Sequence, residues 1–310
     1  MPLTLFVLLA AVASSALYAA AVALAPMAAQ LLMLVPLPGL LVATRGTRSI
    51  CSLWFGLAAT TVAALLGSAA MPGFVLLAGI PTLIMASGIR RVWSFETTVL
   101  AGLAAWCLGL MGLTMLAYGD LPTLLATLRP QLASSVDMAL SSYGSVAPPD
   151  TAAAVQLERD QLVSGLLEVL PAVAVLIGAL TLILNLVMVR RWVSVTRATN
   201  LRLWRTPDVL IWILIATGFG MFCPVAPIAL CARNLFLIVL GCYFCQGLAI
   251  VSYYLERFRL PRGIRVVGYV LIAVQHVIAA LVLALGVFDL WGNFRRLGVG
   301  PADIRLRPEE

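Results

Sequence analysis

Long apolar runs alternate with short polar or arginine-bearing breaks along almost the whole chain. The runs cover residues 3–25, 28–43, 50–70, 74–89, 97–118, 166–189, 209–222, 234–255 and 266–290. A helix crosses a bilayer with about 20 apolar residues, so this pattern predicts an all-α, polytopic transmembrane helical bundle of about eight or nine spans. Two runs are interrupted. Pro36 and Pro38 with Gly39 break the second, and Gly79 and Pro81 mark the short fourth. A broken helix at membrane depth is tolerated only where protein or water shields the freed carbonyls.

Residues 119–165 read differently. This stretch carries two arginines against five acids, yet keeps helical spacing at Leu121, Leu124, Leu125, Leu128 and Leu132. It predicts an extramembrane amphipathic helical segment, with Asp150 after Pro148–Pro149 as the N-cap of its second helix. The chain thus divides into N-terminal transmembrane helices (1–118), the amphipathic segment (119–165), C-terminal transmembrane helices (166–296) and a polar tail (297–310). The first run lacks a basic flank and is too long for a signal-peptide core, so it reads as a retained span.

Composition agrees with lipid as the solvent. Hydrophobic residues make up 62% of the 310 and charged residues only 11%, against about 25% charged in soluble domains. The net charge of +7 comes from 20 basic residues, all arginine. They gather between apolar runs, at Arg45/Arg48, Arg90/Arg91, 190–205 and 257–265. That is the signature of cytoplasmic loops beside anionic lipid, not of a nucleic-acid surface. Nine spans with the N-terminus inside satisfy those loops and place 119–165 outside. They also put the tail outside, against its own Arg295, Arg296, Arg305 and Arg307.

Catalytic signatures are missing: there is no phosphate-binding glycine loop and no HExxH, and the only histidine is His276. The expectation is a non-enzyme that needs no cofactor and no metal. Cys242 and Cys245 share a helix face but find no second pair of suitable spacing, and read as packing. What remains is a small set of polar residues in apolar surroundings. Gln246 lies in the run 234–255, Gln275 and His276 in the middle of 266–290, and Asn185 near the end of 166–189. Facing lipid would be costly, so each should face protein, a ligand or water. The last two runs, joined by the basic loop 256–265, read as a hairpin and as the first place to seek a site. Asp289, Trp291, Arg295 and Arg296 read as an anchor at the membrane edge.

A set of ordered motifs in the C-terminal half carries a resemblance: Trp204-Arg-Thr-Pro207, Asn234-Leu-Phe, Gln246-Gly-Leu-Ala-Ile, Leu260-Pro-Arg and Gly286-Val-Phe-Asp289-Leu-Trp291-Gly-Asn-Phe-Arg295. In this order they resemble the YybS-like family of bacterial membrane proteins, over roughly residues 185–296. That family is in turn similar to the S-components of energy-coupling factor transporters, and to the cell-shape protein MreD. The resemblance implies a multi-pass protein of the bacterial inner membrane. Its partners would be the lipid bilayer, a small-molecule solute and a membrane coupling protein. The ligand-binding residues expected are Gln246, Gln275, His276 and Asn185. The first helix, with Ala16/Ala20 and Ala19/Ala23 four apart, would suit docking on a coupling partner. The alternative is a non-transporting scaffold of a membrane or envelope complex.

Overall fold

The computed structural model describes residues 2–24, 29–144, 158–192, 201–292, 294 and 295. The expected cap at Asp150 and the polar tail 297–310 lie outside the described residues. Every regular element among the described residues is helical. Six helices are long and apolar enough to cross a membrane: α1 (Leu3–Ala23), α3 (Arg48–Leu66), α4 (Ser68–Arg90), α5 (Phe95–Tyr118), α7 (Arg159–Trp192) and α9 (Ala226–Arg257). A seventh candidate is the bent pair α10 (Arg262–Val274) and α11 (His276–Gly292). Two shorter apolar helices are α2 (Pro36–Arg45), which follows a 3-10 segment at Ala29–Leu34, and α8 (Val209–Gly220). Large apolar side chains stand outward along these helices, among them Leu100, Leu108, Trp212 and Phe219. In a soluble fold they would form a prohibitive surface. Here they meet lipid, and the chain is an integral, multi-pass membrane protein.

The chain forms two compact units, Met1–Thr199 and Asn200–Glu310. In the first, α1 lies against α3, α2 against α4, and α5 against α7. Its core combines Leu40, Trp54, Ala58, Met85, Leu182 and Leu186. The fourth span is longer than the apolar run suggests, because Ser68–Arg90 continues through a π-helical turn at Val75–Gly79. Pro81 has no N–H and its ring crowds the carbonyl four residues back, and a wider turn relieves both. The turn brings the Leu76 carbonyl against α5 at Gly109, where any Cβ would sit 2.3 Å from that oxygen.

Helix α6 (Leu121–Gly144) begins at Asp120, whose carboxylate accepts the Thr123 N–H at 2.9 Å. Leu124, Leu128 and Leu132 are half-buried and Val136 is buried, a four-residue stripe on the helix packed against α7. Leu121 and Leu125 are exposed. Helix α7 runs unbroken through 165/166, so the amphipathic segment leads into the span without a joint. The α6–α7 pair is also tied by Arg159, which holds both carboxylate oxygens of Asp137, at 2.7 Å for the Nη2–Oδ2 bond. That guanidinium keeps the Asp137 carboxyl below its ordinary range. A lowered carboxylate pKa stabilises the folded form above the ordinary aspartate range, about pH 4. The contribution is lost as pH falls through the lowered value. Spin labels at Ser141→Cys and Leu162→Cys should therefore report one narrow distance at neutral pH, broadening only in strong acid.

The second unit is built on α9. Helices α8 and α11 pack on it through Ile211, Val239 and Tyr243, with Leu214, Leu283 and Val287 around them. The expected hairpin is not what forms. At the crossing Gly247 and Gly286 lie together, each against the carbonyl four residues before the other, and beyond it the contacts move the same way along both helices, from Gln246–Asp289 to Tyr254–Phe294. An antiparallel pair would reverse that order, so α9 and α11 run parallel. The physical reason is close backbone approach. A Cβ at Gly247 would lie 2.0 Å from the Val282 carbonyl, and one at Gly286 2.0 Å from the Tyr243 carbonyl. Two glycines let the helices touch along their backbones, as small residues do in membranes.

Candidate functional site

Polar residues in an apolar segment must find partners, and two places in the fold show how. The first is the junction before Pro36, where the 3-10 segment gives way to α2. Proline cannot return a hydrogen bond, so carbonyls just before it lose their helical donors. Ser14 of α1 donates to the Val35 carbonyl at 3.1 Å. Asn185 of α7 donates from Nδ2 to the Met33 carbonyl and to the Thr181 carbonyl, both at 2.6 Å. The junction is thus shielded by protein. Asn185 is fully buried, and its Oδ1 has no hydrogen-bond partner among the described residues. That is the one open acceptor of the arrangement.

The second place is a buried cluster in the second unit. Gln246 on α9 is fully buried. Its Oε1 accepts from the Thr206 N–H at 3.0 Å and from the Thr206 hydroxyl. Its Nε2 donates to Asp289 Oδ2 at 3.0 Å. Asp289, at the end of α11, also accepts from Arg295 Nη2 at 2.8 Å and, on Oδ1, from the Phe294 N–H at 3.0 Å. Arg295 reaches further, donating from Nη1 to the Arg202 and Trp204 carbonyls, each at 2.8 Å. The ion pair is almost wholly withdrawn from solvent, with side chains 0% and 3% exposed. Beside it, Arg202 pairs with Glu256 and the Tyr254 hydroxyl donates to the Phe294 carbonyl.

This corrects the reading of Asp289 and Arg295 as a membrane-edge anchor. Trp291 does face outward, 65% exposed, but the two charges turn inward and neutralise each other. A buried charge persists only when paired and hydrogen-bonded. Here the pair joins three separated pieces of chain, residues 202–206, the middle of α9 and the end of α11. Those pieces are three of the motifs that carry the sequence resemblance. The signal available in sequence was an acid and an arginine six residues apart, straddling the end of an apolar run.

Gln275 and His276 also sit elsewhere than expected. They do not lie inside a continuous helix: α10 ends at Val274, Gln275 is extended, and α11 starts at His276 after a turn of 100°. Both residues are exposed in this unit, and Gln275 closes α10 through its own N–H to the Leu271 carbonyl at 2.8 Å. Within the second unit, Gln246 is not gathered with the pair at the turn. Gln246 is spent on Thr206 and Asp289. Asn185 belongs to the first unit.

Cys242 and Cys245 are half-buried on α9, and all six cysteines are free thiols. Cys51 lies under Arg90, whose Nη1 points at its sulfur at 2.8 Å. Among the described residues no three His, Cys, Asp or Glu side chains converge as metal ligands.

Comparison with known proteins adds the family. The family described as Predicted membrane protein (DUF2232) matches residues 12–290. No curated protein and no solved structure matches the chain.

Proposed function

The chain belongs to the DUF2232 family of predicted membrane proteins, and from that premise we propose that it binds a small polar solute within the membrane, in the manner of an S-component. The observation that carries this reading is Asn185 Oδ1, which has no hydrogen-bond partner among the described residues. A fully buried acceptor without a partner is rare and calls for a group that is not part of the chain. It sits beside the junction before Pro36, the kind of place where membrane proteins accept ligands. The solute would offer a hydrogen-bond donor to Oδ1 among the apolar side chains of the first unit. The reading assigns no catalytic step. Active transport would need a coupling protein, and the bacterial inner membrane is the setting the YybS-like resemblance supplies.

Native mass spectrometry of the full chain, released gently from its own membranes, tests this. A small molecule should remain on wild type and be lost from Asn185→Leu, while Gln275→Leu keeps it. Retention by Asn185→Leu would overturn the assignment.

A second reading has its own support. The Gln246–Asp289–Arg295 cluster ties three pieces of chain together and fixes helix ends, although Arg295 Nε has no partner among the described residues; that suits a scaffold of a membrane or envelope complex. A stoichiometric protein partner with no bound small molecule, in the same measurement, would establish it over the first.

A further inference from the structure

Parallel packing of α9 and α11 has a topological consequence. Residues 254–257 and 294–295 end up at one end of the second unit, where Tyr254 bonds Phe294, Arg202 pairs with Glu256, and Arg295 bonds Arg202. Arg205, Arg257, Arg259, Arg262 and Arg265 border the same end. Between Arg257 and His276 the chain must therefore travel back from that end, and α10, which packs against α11, is the element that carries it. We propose that α10 and α11 form a re-entrant pair that enters and leaves the membrane by the arginine-bearing face, with Gln275–His276 at a water-reached inner turn.

Four observations converge on this. The first is the parallel register itself. The second is the 100° turn at Gln275, where helical hydrogen bonding stops. Backbone of that kind is tolerated at membrane depth only inside protein or beside water, and both residues of the turn are exposed in the unit. The third is the pattern of α10. Arg262, Arg265 and Tyr269 follow one helical stripe, while Val266, Val270 and Val274 follow another. The polar stripe runs from the arginine face toward the turn, as the lining of a wet cleft would. The fourth is charge. With α11 returning to the face from which α10 left, Arg295 joins Arg202, Arg205, Arg257, Arg259 and Arg262 on one side, and the positive charge expected of a cytoplasmic surface gathers there. Helix α11, at 17 residues, is about 26 Å long, so the turn lies deep. This inference stands apart from the solute reading and needs no ligand.

Single cysteines in the full-length chain, with the six native cysteines replaced, provide the test. Arg259→Cys and Phe294→Cys should both react with a membrane-impermeant maleimide in inside-out vesicles, and neither in right-side-out vesicles. Reaction of the two from opposite sides would overturn the re-entrant path. Gln275→Cys should react with a small cationic thiosulfonate added to inside-out vesicles. Val277→Cys gives a second probe of the turn should the first variant fail to insert. Loss of reaction at both, with Arg259→Cys still labelled, would overturn water access.

Discussion

Replacing Arg295 by Met should destabilise the second unit by about 3–5 kcal/mol, the usual cost of removing one partner of a buried ion pair. Asp289 would remain buried, with only Gln246 and the Phe294 N–H to hold its charge. The Arg202 and Trp204 carbonyls would lose their donors as well. Asp289→Asn should be milder, because an amide can keep a hydrogen bond to Gln246 without an uncompensated charge. The double change Asp289→Leu with Arg295→Met should recover much of the loss, since apolar side chains of similar volume often replace a buried pair at little cost. Thermal unfolding in mild detergent, read by tryptophan fluorescence, orders the variants. If Arg295→Met unfolds like wild type, the pair is not the fastener described above.

Gly286→Leu should be comparably damaging for a different reason. A first carbon at this position already lies 2.0 Å from the Tyr243 carbonyl and 2.9 Å from the Gly247 N–H nitrogen. Both are backbone, which cannot swing aside as a side chain can. The helices must separate, and Gln246 and Asp289 must separate with them. A loss of about 3 kcal/mol is expected, at the upper end of overpacking costs. Gly268→Leu provides the comparison, since nothing lies within 4 Å of a Cβ there, and it should change stability little. Equal stability of the two variants would contradict the close approach. Because the same crossing sets the parallel register, Gly286→Leu should also change the accessibility of Arg259→Cys and Gln275→Cys. Arg295→Met is expected to loosen the end of the unit and leave the crossing in place.

Much of the architecture follows from one-dimensional information. Hydropathy depends on residue type alone, and the requirement that lipid-exposed backbone bond within its own segment leaves helix as the answer for each apolar run. The long helices, the amphipathic α6 and the absence of strand among the described residues were all legible this way, whereas Pro36, Pro38 and Gly39, expected to interrupt a helix, lie within α2. Individual polar residues were legible too, as exceptions that had to find partners. Asn185 and Gln246 are fully buried as that argument requires.

Which partners they found was not legible. Gln246 meets a threonine 40 residues before it and an aspartate 43 residues after it, and nothing local selects those over other polar groups. Helix direction is equally hidden. Two apolar runs joined by a short basic loop suggest an antiparallel pair, because a single short loop most simply reverses the chain. Here α10 takes up the reversal and the neighbouring long helices run the same way. That choice rests on two glycines 39 residues apart, Gly247 and Gly286, whose missing side chains permit backbone contact. The sequence by itself determined that the chain lives in a bilayer, that its regular structure is helical, and which polar groups could not face lipid. Tertiary structure alone decided that Asp289 and Arg295 turn inward, that Gln275 and His276 stand at a sharp turn, and that Arg202 and Arg295 meet beside Glu256 at one end of the second unit. Burial in lipid is a property each segment has on its own, whereas pairing and direction are properties of segments brought together.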